Sequence, residues 1–182
     1  MRVIAGTARG KNLQALPGED ITRPTINRVK EAMFSSVQFL VPGARVLDLF
    51  AGSGQLGIEA LSRGAARCVF IDSSREACAV VRQNLKAAGL FEKASVAETA
   101  AEMYLAACRE RFDLVLLDPP YRQGTVAALL PAVAAVTAPG GTVLAETEHG
   151  APLPERCGTL TLKKQYKYGT VALARYEADA EF

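Results

Sequence analysis

An apolar run that leads directly into a glycine-rich turn is the feature that most constrains how this chain can fold. Residues 46–57 read VLDLFAGSGQLG, and the segment 56–63 has helical spacing and ends at Gly64. The run predicts a buried strand, the glycines a tight turn, and the spacing a helix. A strand, turn and helix in this order predict a parallel sheet that helices cover on both faces.

The rest of the chain continues this alternation. The strands predicted from short β-rich runs are 45–50, 67–72, 112–118 and 141–147, with a weaker one at 94–97. Towards the carboxyl end, residues 159–165 and 170–175 alternate in polarity across a Tyr168-Gly169 turn. This pattern predicts an antiparallel hairpin at the edge of the sheet.

Helices are predicted between the strands. Residues 74–88 have helical spacing, Ser73 begins a capping-box pattern, and Gly89 follows. These signals predict a helix that is capped by Ser73 and ends at Gly89. Pro131 interrupts the helical segment 125–136, which predicts a helix that is kinked or split.

The length of the chain and its N-terminal pattern predict how it is organised. At 182 residues, with 49% hydrophobic and 22% charged residues, it is long enough for one sizeable α/β domain and too short for two. Residues 1–22 contain glycine and proline among short apolar runs, which predicts a small hairpin or irregular arm. Residues 26–40 have the spacing of an amphipathic helix. We expect residues 1–42 to pack on a compact domain formed by residues 43–182.

Cysteine spacing and hydropathy exclude several classes of protein. None of the four cysteines lies in a CxxC pair and there is one histidine, so a metal cluster is not expected. No apolar stretch reaches the length of a transmembrane helix, and the N-terminus lacks the apolar block of a signal peptide. We expect a soluble cytoplasmic protein without a bound metal.

The glycine-rich turn predicts a nucleoside-type cofactor. Gly52-x-Gly54-x-x-Gly57 has the spacing of dinucleotide-binding turns, and Asp72 ends the next predicted strand, where its carboxylate can accept ribose hydroxyls. Asp48 lies just before the turn, where it would repel a pyrophosphate but attract an ammonium and a sulfonium. This acid favours S-adenosylmethionine over NAD. The alternative is a tight strand–helix turn that binds no ligand.

The sequence Asp118-Pro119-Pro120-Tyr121 follows a predicted buried strand and predicts the chemistry. The prolines have no N–H groups, so the turn offers acceptors: the Asp118 carboxylate and the Pro119 carbonyl. Two fixed acceptors can hold a planar amino group of a base so that its nitrogen faces a methyl donor. Tyr121 would stack on a base turned out of its helix. The alternative is a proline turn after a strand-ending aspartate.

Motifs along nearly the whole chain resemble those of the RsmD family. They are TRPT at 22–25, RVKEAMF at 28–34, LDLFAGSG at 47–54 and GIEALSRGA at 57–65. The resemblance implies a class I S-adenosylmethionine-dependent methyltransferase fold: a Rossmann-like, seven-stranded, mostly parallel sheet with an antiparallel C-terminal hairpin and a short N-terminal extension. It also implies methylation of N2 of a guanine in 16S ribosomal RNA, at the nucleotide conventionally numbered 966.

The resemblance carries over to individual residues. The implied cofactor-binding residues are Asp48, Phe50, Gly52, Ser53, Gly54, Asp72, Arg23 and Thr25. The implied catalytic residues are Asp118, Pro119, Pro120 and Tyr121, which would hold the guanine. Asn27 and Gln55 differ from the residues usual in the family. Asn27 leaves open a salt bridge or other contact at the start of the helix 26–40, and Gln55 leaves open how closely the turn fits the cofactor.

Basic residues near the N-terminus predict where RNA would bind. Net charge is only +2, but Arg9, Lys11, Arg23 and Arg28 lie in the first 45 residues. Because an RNA substrate must be held by its backbone, these four residues are the candidate phosphate contacts. The alternative for each is a solvated charged face. The expected partner is 16S ribosomal RNA within the small subunit or its assembly intermediate, and the expected oligomeric state is a monomer.

Four other functions are weighed against the sequence. DNA adenine-N6 or cytosine-N4 methyltransferases, and enzymes acting on another ribosomal RNA base, use the same tetrad. The DNA enzymes usually carry a target-recognition domain, for which this chain has little room. Methyltransferases that act on protein glutamine usually have asparagine in place of Asp118. A ribosome-assembly or RNA-binding protein without catalysis would be expected to have lost the glycine turn or the tetrad, and both are intact.

Overall fold

The computed structural model describes residues 1–18, 24–120 and 124–181. Its strands are β1 (Arg45–Leu49), β2 (Arg67–Asp72), β3 (Ala94–Glu98), β4 (Phe112–Leu117), β5 (Thr137–Glu148), β6 (Arg156–Cys157), β7 (Leu160–Tyr168) and β8 (Val171–Ala178). Its helices are α1 (Pro24–Ser36), α2 (Gln55–Ser62), α3 (Arg75–Ala88), α4 (Ala101–Ala107) and α5 (Thr125–Val136), with a 3₁₀ turn at Phe91–Lys93. Within these ranges no helix combines the length and apolar character that crossing a bilayer requires.

The strands form one sheet in the order β3-β2-β1-β4-β5-β8-β7-β6. Strands β1 to β5 run parallel, whereas β8 pairs antiparallel with β5 and β7. This confirms the predicted mostly parallel sheet with an antiparallel C-terminal hairpin. The described residues give eight strands and not seven, because the two-residue strand β6 is too short to leave a pattern. Strand order reverses between β1 and β4, where open α/β sheets leave a crevice.

The sheet has a core on each face because successive strand residues point to opposite sides. Phe70 belongs to the cluster beneath α1, α2 and α3, together with Phe34 and Ile58. Ile71, the next residue along β2, belongs to the cluster beneath α4 and α5, which includes Leu130. The inner strands are therefore buried on both sides, and their carboxyl ends are held in fixed positions.

The structure corrects the predicted cap of α3 and excludes the split in α5, one of the two predicted effects of Pro131. The N-cap of α3 is Ser74 and not Ser73: the Ser74 Oγ accepts the Ala77 N–H at 3.1 Å, while Asp72 accepts the Ser74 N–H at 2.9 Å. The aspartate thus holds Ser74 in the extended conformation that a cap needs. Helix α5 is not split, because it runs unbroken through Pro131. Its buried apolar face offsets the backbone hydrogen bond that proline removes.

Two other boundaries differ from the prediction for simple reasons. Helix α1 spans Pro24–Ser36 and not 26–40; Val37 is still buried, but it lies in the turn that follows the helix. The helix begins at a proline, a residue favoured in the first helical turn. Helix α4 was not predicted, because its seven residues are too few to show a period.

Residues 1–18 form an arm that lies on α2 and α3. Its single antiparallel bridge joins Arg2 and Asn12, so the predicted hairpin or irregular arm is mostly irregular. Its backbone is held by side chains far away in sequence: the Ser62 Oγ accepts the Ala8 N–H at 2.9 Å, and the Asn84 Oδ1 accepts the Gln14 N–H at 2.7 Å. The arm therefore depends on α2 and α3 for its shape.

Glu59 on α2 joins the arm, α1 and α2. Its carboxylate is fully buried, accepts the Ile4 and Ala5 N–H groups at 2.8 and 3.0 Å, and pairs with Lys30 at 3.1 Å and Arg63 at 2.9 Å. Burial acts to raise the pKa of Glu59, but Lys30, the Ile4 N–H and Arg63 outweigh it and hold the pKa below its ordinary value. Burial also lowers the pKa of Lys30 despite the attraction of Glu59.

Glu59→Gln should destabilise the fold because it leaves the Lys30 ammonium buried beside a neutral amide. We expect a loss of about 3 kcal/mol in the free energy of unfolding, measured by urea denaturation at pH 7. Glu31→Gln, an exposed change on α1, is the control and should cost less than about 0.5 kcal/mol.

The pH dependence provides a second readout of the same contact. The folded pKa of Glu59 lies below its unfolded value, so its contribution is complete above the unfolded pKa and is lost as pH falls through the folded pKa. The stability gap between wild type and Glu59→Gln should therefore narrow as pH falls below about 4. A gap that is equal at pH 7 and pH 3 would contradict the ion-pair account.

Candidate functional site

A cleft of about 590 Å³ opens at the carboxyl ends of β1, β2, β4 and β5. Its volume lies within the range of small-molecule sites. The residues lining it include Asp48, Phe50, Gly52, Ser53, Asp72, Asp118, Pro119, Pro120 and Glu146. The structure thus brings Phe50, Gly52 and Ser53 to one cleft with the first three residues of the predicted tetrad, whereas Gly54 is not among the lining residues. The Cα of Gly54 faces Val81 on α3.

The turn between β1 and α2 has the backbone that the glycine spacing predicts. Gly52 and Gly54 have φ values of 58° and 83°, in the left-handed region that favours glycine. Phe50 also has a positive φ, of 57°, a conformation that costs a non-glycine residue about 1 kcal/mol or more. Gly57 has a different role: a Cβ there would lie 2.3 Å from the Phe70 ring. The third glycine is therefore needed for the close approach of α2 to β2.

Asp48 is buried beneath this turn and borders the cleft. Its side chain is 1% exposed, and its Oδ2 accepts the Gly57 N–H at 3.0 Å. Burial raises the pKa of Asp48 to about 8; the Gly57 N–H acts in the opposite direction, and Asp72 adds to the rise. A cation placed in the cleft would lower this pKa and be bound by the resulting carboxylate.

Asp72 ends β2 and holds the rim of the glycine turn. Its Oδ2 accepts the Gly52 N–H at 2.9 Å, and its Oδ1 accepts the Ser74 N–H at 2.9 Å. A carboxylate has about four acceptor sites, so each oxygen can accept one more donor. The geometry is suited to two neighbouring hydroxyl groups, such as those of a ribose.

The tetrad begins directly after β4, as predicted. Asp118, Pro119 and Pro120 line the cleft, whereas Tyr121 lies outside the described residues. Strand register pairs Leu117 with Ala145, so Asp118, directly after β4, and Glu146, on β5, each follow a member of this pair.

Glu146 is a site residue that the sequence reasoning missed. A hydrogen bond joins its side chain to that of Asp118; burial raises the pKa of Glu146, while this hydrogen bond acts to lower it. The signal that could have identified it is an acid that interrupts the buried run Val143-Leu144-Ala145 at the carboxyl end of a strand.

The other predicted residues lie on or beside the N-terminal part. Arg9, Lys11 and Arg28 are exposed. Arg23 lies outside the described residues, and Thr25 lies in α1 with its side chain outside the description. Met1, Leu16, Gly18 and Asn27 line the cleft, so the arm and α1 form one of its walls. Within the ranges that the structure covers, no three His, Cys, Asp or Glu side chains group closely enough to hold a metal ion.

Comparison with known proteins gives relatives along the whole chain. The chain is 40% identical over 182 residues to the Bacillus subtilis protein named "Putative rRNA methyltransferase YlbH", covering 97% of this chain and 98% of that one. It is 32% identical over 185 residues to the Escherichia coli K12 protein named "Ribosomal RNA small subunit methyltransferase D", covering 100% of this chain and 91% of that one.

Solved structures show the same fold. The structure titled "Putative methyltransferase yhhF from Escherichia coli" matches with a TM-score of 0.88 at 31% identity, covering 100% of this chain and 99% of that one. A family model described as "Conserved hypothetical protein 95" matches residues 1–177. The chain therefore belongs to this family, which is the RsmD family that its motifs resemble.

Proposed function

We propose that this protein uses S-adenosylmethionine to methylate N2 of a guanine in 16S ribosomal RNA of the small subunit. The observation that carries the proposal is one cleft that joins the glycine turn and the buried Asp48 to the Asp118-Pro119 acceptors. The names of relatives at 32% and 40% identity support a methyltransferase acting on ribosomal RNA. The single nucleotide, 966, rests on the resemblance of the motifs to the RsmD family.

The residues around the turn fit S-adenosylmethionine and not a pyrophosphate. Asp48 would face the positive charges of the methionine part. Burial raises the pKa of Asp48 to about 8, and a nearby cation would stabilise its carboxylate and lower that pKa. Asp72 would accept the ribose hydroxyls, and Gly52 and Gly54 would let the ligand lie against bare backbone. Phe50 and Ser53 line the same part of the cleft, with Arg23 and Thr25 as further candidates from the N-terminal segment.

The proposed reaction depends on how the amino group of the base is positioned, more than on a strong general acid or base. The bound cofactor supplies a methyl group on a sulfonium, which makes that carbon electrophilic. Asp118 and the Pro119 carbonyl would accept the two N–H groups of N2, so the nitrogen lone pair faces the methyl carbon. The methyl group would pass from the sulfonium to N2, so that an N–C bond replaces the C–S bond, and Asp118 would accept the proton that the nitrogen loses. Tyr121 would stack on the flipped guanine.

The substrate would be held by charges outside the cleft. Arg9, Lys11 and Arg28 are exposed on the arm and on α1, which form one wall of the cleft. Their cations would contact RNA phosphates, with Arg23 between them in sequence. We place the enzyme in the cytoplasm, acting as a monomer on the small subunit or on an assembly intermediate.

The proposed function is tested by methyl transfer from labelled S-adenosylmethionine. The substrates are small subunits that lack the modification, free 16S RNA, and a DNA duplex of matching sequence. Label in the RNA of the subunit is expected. Label in the DNA alone would instead support a DNA methyltransferase, and label in neither nucleic acid would favour a non-catalytic assembly protein.

Asp118→Ala should reduce methyl transfer by roughly 10²- to 10³-fold, the effect of removing one preorganised hydrogen-bonding group. Affinity for S-adenosylmethionine, measured by calorimetry, should stay within a few fold. Asp113→Ala is the matched control, because Asp113 lies on the same strand and pairs with Arg45 far from the cleft. A large loss of cofactor binding in Asp118→Ala would show that Asp118 acts on the cofactor and not on the base.

Binding of S-adenosylmethionine should release a proton between pH 6 and 8. With a pKa of about 8, Asp48 is mostly protonated in the free protein at pH 7, and a cation beside it stabilises the carboxylate. Affinity should therefore rise with pH by up to about tenfold per unit, and level off above pH 8. Calorimetry in two buffers of different ionisation enthalpy measures the proton. Asp48→Asn, which can still accept the Gly57 N–H, should abolish the release; an unchanged release would exclude Asp48 as its source.

Arg23→Ala should weaken RNA binding and make it less dependent on salt. Loss of one phosphate contact lowers the magnitude of the negative slope of log K against log [salt] by about 0.7 to 0.9. The control is Arg156→Ala, since Arg156 pairs with Asp179 in the C-terminal part of the sheet. Filter binding from low to physiological salt gives both slopes, and an unchanged slope in Arg23→Ala would remove Arg23 from the phosphate contacts.

A further inference from the structure

Two carboxyl groups stand side by side where the target base would enter. Asp118 follows β4, Glu146 is one register position beyond the Leu117–Ala145 pair, and a hydrogen bond joins the two side chains. Both residues line the cleft together with Pro119. In the proposed reaction Asp118 and Pro119 hold the amino group, and Glu146 has no role. Its position beside them places a second acceptor next to the amino-binding site.

The atom beside the amino group distinguishes the bases. Adenine, cytosine and guanine all carry an exocyclic amino group. In adenine and cytosine, the ring nitrogen next to it on the Watson–Crick edge is a bare acceptor. In guanine that atom is N1, which carries a hydrogen and donates. A carboxylate is an acceptor only, so it attracts guanine at this position and repels the other two bases.

We propose that Glu146 is a specificity-determining residue that accepts the N1–H of the target guanine while Asp118 accepts an N2–H. This inference rests on the proposed function. Together the two carboxylates would bind the two adjacent donors that only guanine presents. The tetrad by itself cannot tell guanine from adenine, so the discrimination would come from β5 and not from the strand that carries the tetrad.

The protonation of the pair is consistent with this role. A hydrogen bond between two carboxyl groups requires one proton, and burial raises the pKa of Glu146. When guanine enters, its N1–H and N2–H can replace the shared proton, which leaves to solvent. Adenine also presents an amino group to Asp118, but it places its bare N1 beside Glu146. Because that nitrogen is an acceptor, Glu146 would have to keep a proton in order to donate to it.

The test compares RNA substrates that carry guanine or 2-aminopurine at the target nucleotide. 2-Aminopurine keeps the amino group on C2 but has a bare N1. Wild type should prefer guanine by at least about a hundredfold in kcat/KM, since a site built to accept a hydrogen bond rejects an analogue that lacks the donor. Glu146→Gln, whose amide can donate to the bare N1, should lower this ratio by about tenfold or more.

Glu148→Gln is the matched control. Glu148 lies two residues further along β5, on the same face. The ratio of kcat/KM for guanine to that for 2-aminopurine in Glu148→Gln should stay within about twofold of the wild-type ratio. The ratio is measured on one enzyme stock, so it does not depend on the fraction of active protein. A residue with a purely structural role would lower both rates and leave the ratio unchanged.

The outcomes separate this inference from the proposed function. If wild type methylates no guanine, the proposed function fails. If wild type methylates guanine and Glu146→Gln keeps the wild-type ratio, only the role of Glu146 is overturned. If Glu146→Gln is inactive on both substrates, Glu146→Asp replaces it, because the shorter side chain withdraws the carboxylate from N1. The preference of Glu146→Asp for guanine over 2-aminopurine should be about tenfold lower than that of wild type, and an unchanged preference would overturn the inference.

Discussion

The hydrogen bond from the Gly57 N–H to the buried Asp48 is the contact on which the site depends. It joins the carboxyl end of strand β1 to the first turn of α2, across a loop that contains residues with left-handed backbone conformations. Gly57 permits it because no side chain separates α2 from Phe70. The same carboxyl group borders the cleft, so one residue both shapes the turn and provides its charge. A larger residue at position 57 would push α2 away from β2, and both the shape of the turn and the position of its charge would be lost.

Charge is divided between the cleft and the surface around it. The carboxyl ends of β1, β2, β4 and β5 place four acids at the cleft: Asp48, Asp72, Asp118 and Glu146. Acids there suit a cationic cofactor and the N–H groups of a base, but they would repel RNA phosphates. Exposed cations lie instead on the neighbouring arm and α1, which Glu59 holds against α2. A polyanionic substrate could thus be bound by its backbone outside an acidic site.

The sequence predicted the fold well where one short segment contains the whole signal. Strand β2 was predicted with its observed bounds, because an apolar run between polar residues defines both ends. The parallel order of the inner strands followed from their alternation with helices. Ser74 replaced Ser73 as a cap because a side chain outside the helix, that of Asp72, decides which serine is extended. Helix α4 was too short for a period to be visible.

Three of the four acids at the cleft were predictable because each lies in or directly after a short segment that the sequence identifies as a strand. Asp72 ends an apolar run, Asp118 follows one, and Asp48 interrupts one just before the glycine turn. The three acids meet because parallel strands share an edge. Glu146 meets Asp118 only through the register of β4 and β5, which no local pattern encodes. The Lys30–Glu59 pair likewise joins distant segments, and α1 and the arm are placed by it.

The proposed function requires this protein to add one methyl group to N2 of a single guanine in 16S ribosomal RNA. Mass mapping of nuclease fragments of 16S RNA, from cells with and without the protein, tests it most directly. One fragment should be heavier by one methyl group only when the protein is present, with the methyl group on guanine N2. Identical fragment masses in the two RNAs, or a methyl group on another base, would contradict it.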